Sequence, residues 1–572
     1  MTHGESEVVA GPGAEATEVT LDATVPAPRS PGGGSVLRHS AVMAAGSVVS
    51  RITGFLRTAV IGAALGAALV GNAYTTAQFV PSMIYELLLG GILGTVVVPV
   101  LMRARTREAD RGEAYAQRLL TLAVFALGIV ALLVVIAAPL FAAILAGGRS
   151  TPASRELITT LGYLIMPGIF FYGLAALFGA VLNTRDHFAA PMWAPILNNL
   201  VVIGTFALYI VLFGAKPLLP EQLSTGQILL IGLGTSLGVA VQTAGLWTVL
   251  RRVGFRWRWR FDLRALHLGE LARLGGWAFC YVAVSQIAVF AAIRLANEAS
   301  SHGGPGPMIY NNAFLLLMMA HGIVAVSIIT ALMPRMSAAA TERRYGDFTA
   351  DLSRGTRMAA VVLVPIAVAY AVLAEPISRT LFQYGAFTSD NALATSTVLL
   401  VVAIALVPFS VSQLYTFAFY ALPDTRTPAL VNMPVVGVRV GLQVLLAMLL
   451  PAVWVAAGLM AGNAVSFVVA AVVSAMLLRR RVGAIGLRQI FDTFARAFVA
   501  GVGAFALGWI TVWLLGRWLG DDRLSALVQL AIGGVVIVGV YGALALALRM
   551  REARDLTTRL LRRRPRAPGA AN

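Results

Sequence analysis

The hydrophobic positions of this chain fall into long unbroken runs, not into short alternating stretches. Fourteen apolar segments follow one another, at about 40–66, 72–102, 118–147, 155–182, 190–214, 226–250, 273–297, 306–333, 357–382, 391–421, 428–451, 453–478, 494–516 and 524–549. They are about 20 residues or longer, the length that crosses a hydrocarbon core of roughly 30 Å, and they lack the alternation of membrane barrel strands. No water satisfies the backbone at that depth, so such runs form helices. The pattern predicts an all-α polytopic membrane protein of about 14 transmembrane helices. Before them, residues 1–36 are rich in Gly, Pro, Ala, Thr and Glu and carry no signal-peptide pattern, which reads as a disordered cytoplasmic tail.

One polar stretch interrupts the first segment. In Ser47–Thr58, SVVSRITGFLRT, a helical period places Ser50, Arg51, Gly54, Arg57 and Thr58 within about 120° of arc. An arginine at the centre of a membrane helix costs about 2.5–3.5 kcal/mol on insertion scales, so two of them on one face are expected to line a wet cavity that receives an anion. The rival readings are a structural ion pair and snorkelling to the cytoplasmic interface.

Composition agrees with a membrane protein: of 572 residues 58% are hydrophobic and only 12% charged. The net charge of +18 suggests nucleic acid until its placement is considered. Of 44 Lys and Arg residues, 34 fall in the tails and in alternate loops on one side of the apolar segments and five (Arg149, Arg155, Lys216, Arg517, Arg523) on the other. Short cytoplasmic loops collect Lys and Arg, so both termini are expected in the cytoplasm, and no nucleic-acid partner is implied. The basic aromatic run RWRWRF, Arg256–Phe261, reads in this setting as a headgroup-level anchor. Five arginines remain inside or at the ends of apolar segments: Arg51, Arg57, Arg294, Arg379 and Arg439. The lone Cys280 offers neither a disulfide framework nor a metal-ligand spacing, and no cofactor or metal is expected.

A weak internal repeat divides the chain. VVVPVLMRARTRE after the second segment is echoed by TALMPRMSAAATERR after the eighth, and VLNTRDHFAAP by YALPDTRTPAL. Two six-helix lobes related by pseudo-two-fold repeat, 37–252 and 253–482, are expected, then two further helices (483–550) and a basic cytoplasmic tail (551–572). Repeats of this kind characterise transporters that rock one lobe against the other around a central site.

Several strings, in order along nearly the whole apolar region, resemble the MurJ/MviN family of lipid II flippases, within the multidrug, oligosaccharidyl-lipid and polysaccharide exporter superfamily. They are SRITGFLR (Ser50–Arg57), two VP pairs (Val80–Pro81 and Val98–Pro99), LNTRDHFAAP (Leu182–Pro191), ALMPRMS (Ala331–Ser337), LFQYGAFT (Leu381–Thr388) and FYALPDTRTP (Phe419–Pro428). The resemblance implies transport of undecaprenyl-pyrophosphate-linked disaccharide peptide, lipid II, from the inner to the outer leaflet of the bacterial cytoplasmic membrane by alternating access. No enzyme activity is implied. Partners would be lipid II, the membrane and cell-wall synthesis or division proteins. Arg51 and Arg57 match the family's first-helix arginines, and a planar guanidinium suits a pyrophosphate.

The departures from the family are as specific. An acidic position in the second helix holds Asn72, later arginine and glutamate positions align with Tyr85 and Gly90, and an eighth-helix arginine aligns with Leu315. The expected substrate-binding set is therefore Ser50, Arg51, Arg57, Asn72, Glu86 and Arg294, with Arg294 replacing a missing cation and Glu86 a missing carboxylate. For Arg294 an outer-gate salt bridge is the rival; Glu86 has a proton- or ion-coupling role or a pairing with Arg51 as rivals. Asp424 reads first as a helix cap and second as an ion-coupling site. Arg379 reads as an interface anchor, and Arg439 stays open between a lipid-groove, lobe-contact and cation-excluding role. Asn311, Asn312 and His321 stay open between cavity lining and interhelical hydrogen bonds. Gly90, Gly91 and Gly94 are a candidate bending element or a close-packing face. No ATP-binding pattern is visible, which leaves membrane potential, a Na+ or H+ gradient or the substrate gradient as the drive. The alternatives are a flippase for another polyprenyl-linked glycan, or a member of the family that has lost the substrate site. A drug/cation antiporter of the same architecture and a scaffold acting through the basic tail complete them.

Overall fold

The structure is a computed structural model that describes residues 33–88, 97–108, 110–262, 268–520 and 522–554. The polar tail to residue 32, Gly90, Gly91 and Gly94, and the basic tail from residue 555 lie outside the described residues. The first half of the chain holds α1 (Gly33–Leu65), α2 (Leu69–Glu86), α3 (Val98–Arg107), α4 (Glu113–Ile136), α5 (Ala138–Leu145), α6 (Pro152–Ile165), α7 (Gly168–Thr184), α8 (Ala189–Phe213) and α9 (Thr225–Arg252). The second half holds α10 (Leu268–Ser301), α11 (Pro307–Thr341), α12 (Tyr345–Val372), α13 (Ala374–Phe382), α14 (Ser389–Ala421), α15 (Arg426–Leu449) and α16 (Ala452–Val482). Two more helices follow, α17 (Leu487–Leu519) and α18 (Arg523–Ala547).

Among the described residues, thirteen helical spans are long and apolar enough to cross a membrane, which establishes an all-α polytopic membrane protein. They match thirteen of the expected segments; the remaining one, 72–102, is divided between α2 and α3, which flank residues outside the described set. Proline marks the breaks within segments. A ring nitrogen has no N–H to give and its ring crowds the preceding turn. Pro167 separates α6 from α7, and Pro139 and Pro376 stand in the first turns of the short helices α5 and α13. At the starts of α6, α9 and α14 side-chain oxygens cap the helix. Thr151 accepts from the Ser154 amide at 3.1 Å, and Ser224 with Gln227 and Thr388 with Asn391 close reciprocal caps.

In the first half α8 packs on α1 and α9, and α7 on α4 and α9; in the second α14 packs on α11, α12 and α16, and α15 on α10 and α16. The pair α17 and α18 leans on α12 and α13. One large apolar core runs through both halves, from Ile61, Tyr74 and Phe206 to Leu316, Leu399 and Met460. Outward faces are apolar too, as Ile129, Leu132 and Ile136 on α4 and Val535 and Val538 on α18 show. Lipid is as apolar as such side chains, so exposure there carries no hydrophobic penalty.

At the end of the bundle that holds the five sparse cations, a seam of hydrogen bonds joins the halves. The Ala386 amide donates to the Ala63 carbonyl at 2.8 Å, and the Ala67 amide to Asn391 Oδ1 at 3.3 Å. Asn72 Nδ2 donates to Ser300 Oγ at 3.0 Å and the Met308 amide donates to Asn72 Oδ1 at 3.1 Å. Asn297 Nδ2 donates to Thr76 Oγ1 at 2.9 Å, and the Gly148 amide to Glu298 Oε2 at 2.7 Å.

Candidate functional site: the arginine face of α1

The polar face predicted for α1 is turned inward. Val48, Ile52 and Leu56, spaced four apart on the other side, are exposed, whereas Ser50, Arg51, Gly54, Arg57 and Thr58 are half-buried. Three neighbouring helices receive this face. The Ser50 carbonyl accepts from Asn199 Nδ2 of α8 at 3.3 Å, and the same nitrogen donates to Thr53 Oγ1 at 3.0 Å. Arg51 crosses to the second half, where its guanidinium occupies the space over Gly322 of α11. Arg57 approaches the buried Tyr74 hydroxyl on α2, which shares a 3.0 Å hydrogen bond with Thr235 of α9.

Neither Arg51 nor Arg57 has a carboxylate within ion-pair distance among the described residues. Glu86, the last residue of α2, is exposed and is not paired with Arg51. Tyr85 packs against Tyr172, their ring centroids 4.9 Å apart and their planes tilted by 44°. Since Ala63 belongs to the seam, a helical rise of 1.5 Å puts Arg57 about 9 Å and Arg51 about 18 Å away from it along α1. The two cations lie below a closed end, half-buried and without a carboxylate partner among the described residues.

Other expected site residues lie elsewhere. Asn72 is buried in the seam, with both amide atoms engaged by the second half. Arg294 donates to Glu298 Oε2 at 2.7 Å, and that carboxylate also holds the Gly148 amide; the salt-bridge reading therefore describes its contacts, and it does not join Arg51 and Arg57. Asp424 caps α15. Its Oδ1 accepts from the Thr427 amide at 3.0 Å and its Oδ2 from the Thr427 hydroxyl at 2.7 Å and from Arg481. Burial pushes this carboxyl up, but Thr427 and Arg481 outweigh burial and hold it below the usual carboxylate range.

Arg379 pairs with Glu375 at 2.6 Å. Arg439 is buried over the Phe467 ring at 5.9 Å, its Nε without a hydrogen-bond partner. Phe467 leads through Phe409 to His321, whose Nδ1 pairs with Ser410 Oγ at 3.0 Å, so His321 serves an interhelical bond. Asn312 is buried with neither amide atom partnered, and Asn311 is exposed. The RWRWRF run packs back on α4, where Gln117 Nε2 donates to the Arg256 carbonyl at 2.7 Å and Phe125 meets Trp259 and Phe261. Sequence reasoning missed Asn199 and Gly322 as the supports of the arginine face. The Asn198–Asn199 pair inside an apolar segment was the signal for the first; nothing local marked the second.

Long helices, a sealed end and an inward cationic face together define a polytopic helical membrane protein with the architecture of a transporter. Among solved structures it resembles a lipid II flippase MurJ in an inward closed conformation (TM-score 0.69, 18% identity, 88% of this chain and 99% of that one). It also resembles an inward-facing MATE family transporter of the MOP superfamily (TM-score 0.61, 15% identity, 75% and 94%). The family model for lipid II flippase MurJ matches residues 61–521, and the chain belongs to this family. It is 27% identical over 395 residues to the lipid II flippase MurJ of Burkholderia cenocepacia, covering 68% of this chain and 74% of that protein. With the probable lipid II flippase MurJ of Haemophilus influenzae it shares 24% identity over 534 residues, covering 89% and 99%. The family match begins at residue 61, so Arg51 and Arg57 precede it.

Proposed function

We propose that this protein moves lipid II from the inner to the outer leaflet of the bacterial cytoplasmic membrane, acting as a transporter and not as a catalyst, with the pyrophosphate received by Arg51 and Arg57. The observation that carries this reading is the pair of arginines on an inward face that have no carboxylate partner among the described residues, backed by polar groups from α2, α8 and α9 and by Gly322 of α11. A dense dianion supplies the countercharge that the described protein groups do not. A drug antiporter would need acidic groups at this place.

The excess of Lys and Arg on one side supports a cytoplasmic position for both termini, in which case the seam closes the outer end and the arginine face is reached from inside. Lobes at 37–252 and 253–482 would then rock about α1, breaking the seam as the cytoplasmic side closes. The drive is membrane potential, a Na+ or H+ gradient or the substrate gradient, and the outward product feeds cell-wall synthesis proteins. The test is rescue of a bacterium depleted of its essential lipid II flippase. Wild type should rescue and Arg51→Ala with Arg57→Ala should not, at equal membrane abundance; rescue by the double variant would refute the arginine role, and failure of the wild type would refute the substrate.

A further inference from the structure

A second charged site lies far from the arginine face. At the seam end, α13, α17 and α18 form a half-open cleft of about 310 Å³ whose lining includes Glu375, Arg379, Arg517, Asp522, Ser525 and Gln529. That is a volume typical of small-ligand sites. Its charges are arranged in two kinds. Arg517 lies 5.9 Å from the Trp513 ring and has no carboxylate within ion-pair distance among the described residues. Ser525 Oγ accepts from Gln529 Nε2 at 3.0 Å, which leaves its proton to donate. These are phosphate donors. The same lining also carries two carboxylates. Glu375 is bonded to Arg379 at 2.6 Å but remains 45% exposed, and Asp522 makes no side-chain cap on α18.

The rim stands at headgroup level. Trp513 and Trp518 are 52% and 83% exposed on α17, where indoles mark the membrane–water interface, and Arg523 covers Tyr384 at 4.3 Å beside them. Apolar side chains that could carry acyl chains, Leu524 and Leu527, are exposed on the adjoining face of α18.

We propose that this cavity binds the headgroup of a zwitterionic glycerophospholipid bearing a primary amine, its phosphodiester on Arg517 and Ser525 and its ammonium on Glu375 and Asp522. An anionic headgroup satisfies only the first pair of contacts and leaves the carboxylates facing it. The bound lipid ties the C-terminal helix pair to α13 and so to the second half. This inference is independent of the transported substrate, because no residue of the cavity belongs to the arginine face.

Native mass spectrometry and thermal unfolding of the full chain with phosphatidylethanolamine, phosphatidylcholine and phosphatidylglycerol of identical acyl chains, and separately with inorganic phosphate, test it. Phosphatidylethanolamine should be retained about tenfold better than either other lipid, and Arg517→Gln should reduce that retention about tenfold, in line with loss of a charged hydrogen bond. Arg517→Lys should fall between, and Glu375→Gln should abolish the preference over phosphatidylcholine. Equal retention of all three lipids, preference for phosphatidylglycerol, or no change in Arg517→Gln overturns the proposal. Displacement of the lipid by millimolar inorganic phosphate would identify a free-phosphate site and overturn the lipid assignment.

Discussion

Arg51 on α1 and Gly322 on α11 occupy one another's space: a Cβ on Gly322 would stand 2.1 Å from Arg51 Nη1 and 2.6 Å from its Cζ. The hydrogen side chain is what lets the guanidinium of one half lie against the backbone of the other. Gly322→Ala must push the arginine aside, and the flexible end of a long side chain moves at small cost. Alanine also favours a helix by about 0.5–1 kcal/mol over glycine. The substitution is expected to leave thermal stability unchanged or slightly raised while lowering transport at least severalfold. Transport at the wild-type rate would show that the position of Arg51 over Gly322 is immaterial.

The Asn72 amide spans the seam to Ser300 and to the Met308 amide. Asn72→Ala leaves buried groups without partners, at a cost of about 1–3 kcal/mol borne only by the sealed state. The equilibrium should shift towards opening at this end. A cysteine placed at Ala63, in a Cys280→Ser background, should react with a membrane-impermeant thiol reagent several times faster when Asn72→Ala is present.

Arg294 and Glu298 form a pair whose side chains are 35% and 36% exposed, so it contributes about 0.2–1 kcal/mol. Arg294→Ala, Glu298→Gln and the double variant should therefore impair transport alike and mildly, their effects failing to add. Were Arg294→Ala to abolish transport while Glu298→Gln behaved as wild type, the arginine would be serving the substrate directly.

Asp424 sets an acid limit on the start of α15. Its carboxyl is held below the usual range in the folded protein, so its stabilisation is fully present above the unfolded pKa of about 3.9 and disappears as pH falls through the folded value. Asp424→Ala should lower stability by about 0.5–2 kcal/mol at pH 7 through loss of the cap, with a smaller difference from wild type near pH 3. Thermal unfolding in detergent at both pH values reads this directly.

The sequence disclosed the membrane spans because crossing a hydrocarbon core is a coarse requirement that length and apolarity satisfy locally. The inward turn of Ser50, Arg51, Gly54 and Arg57 was legible for the same reason, since one helix has one period. Asp424 was legible as a cap because PDTRTP sets it just before a Thr-Pro pair suited to a first helical turn. Asn72 and Arg294 were not legible in the same way. Whether a polar side chain in an apolar helix meets substrate or protein depends on its neighbour, and the partner of Asn72 stands 228 residues away at Ser300. Arg294 had its partner four residues on, yet only the approach of the Gly148 loop shows that this pair belongs to the seam.

The most direct measurement is movement of fluorescent lipid II between leaflets in proteoliposomes, read by an impermeant quencher, for wild type and for Arg51→Ala with Arg57→Ala. The account predicts protein-dependent transfer by the wild type and at least a tenfold loss in the double variant, whose fold and insertion remain intact. Transfer by the double variant at the wild-type rate would contradict it.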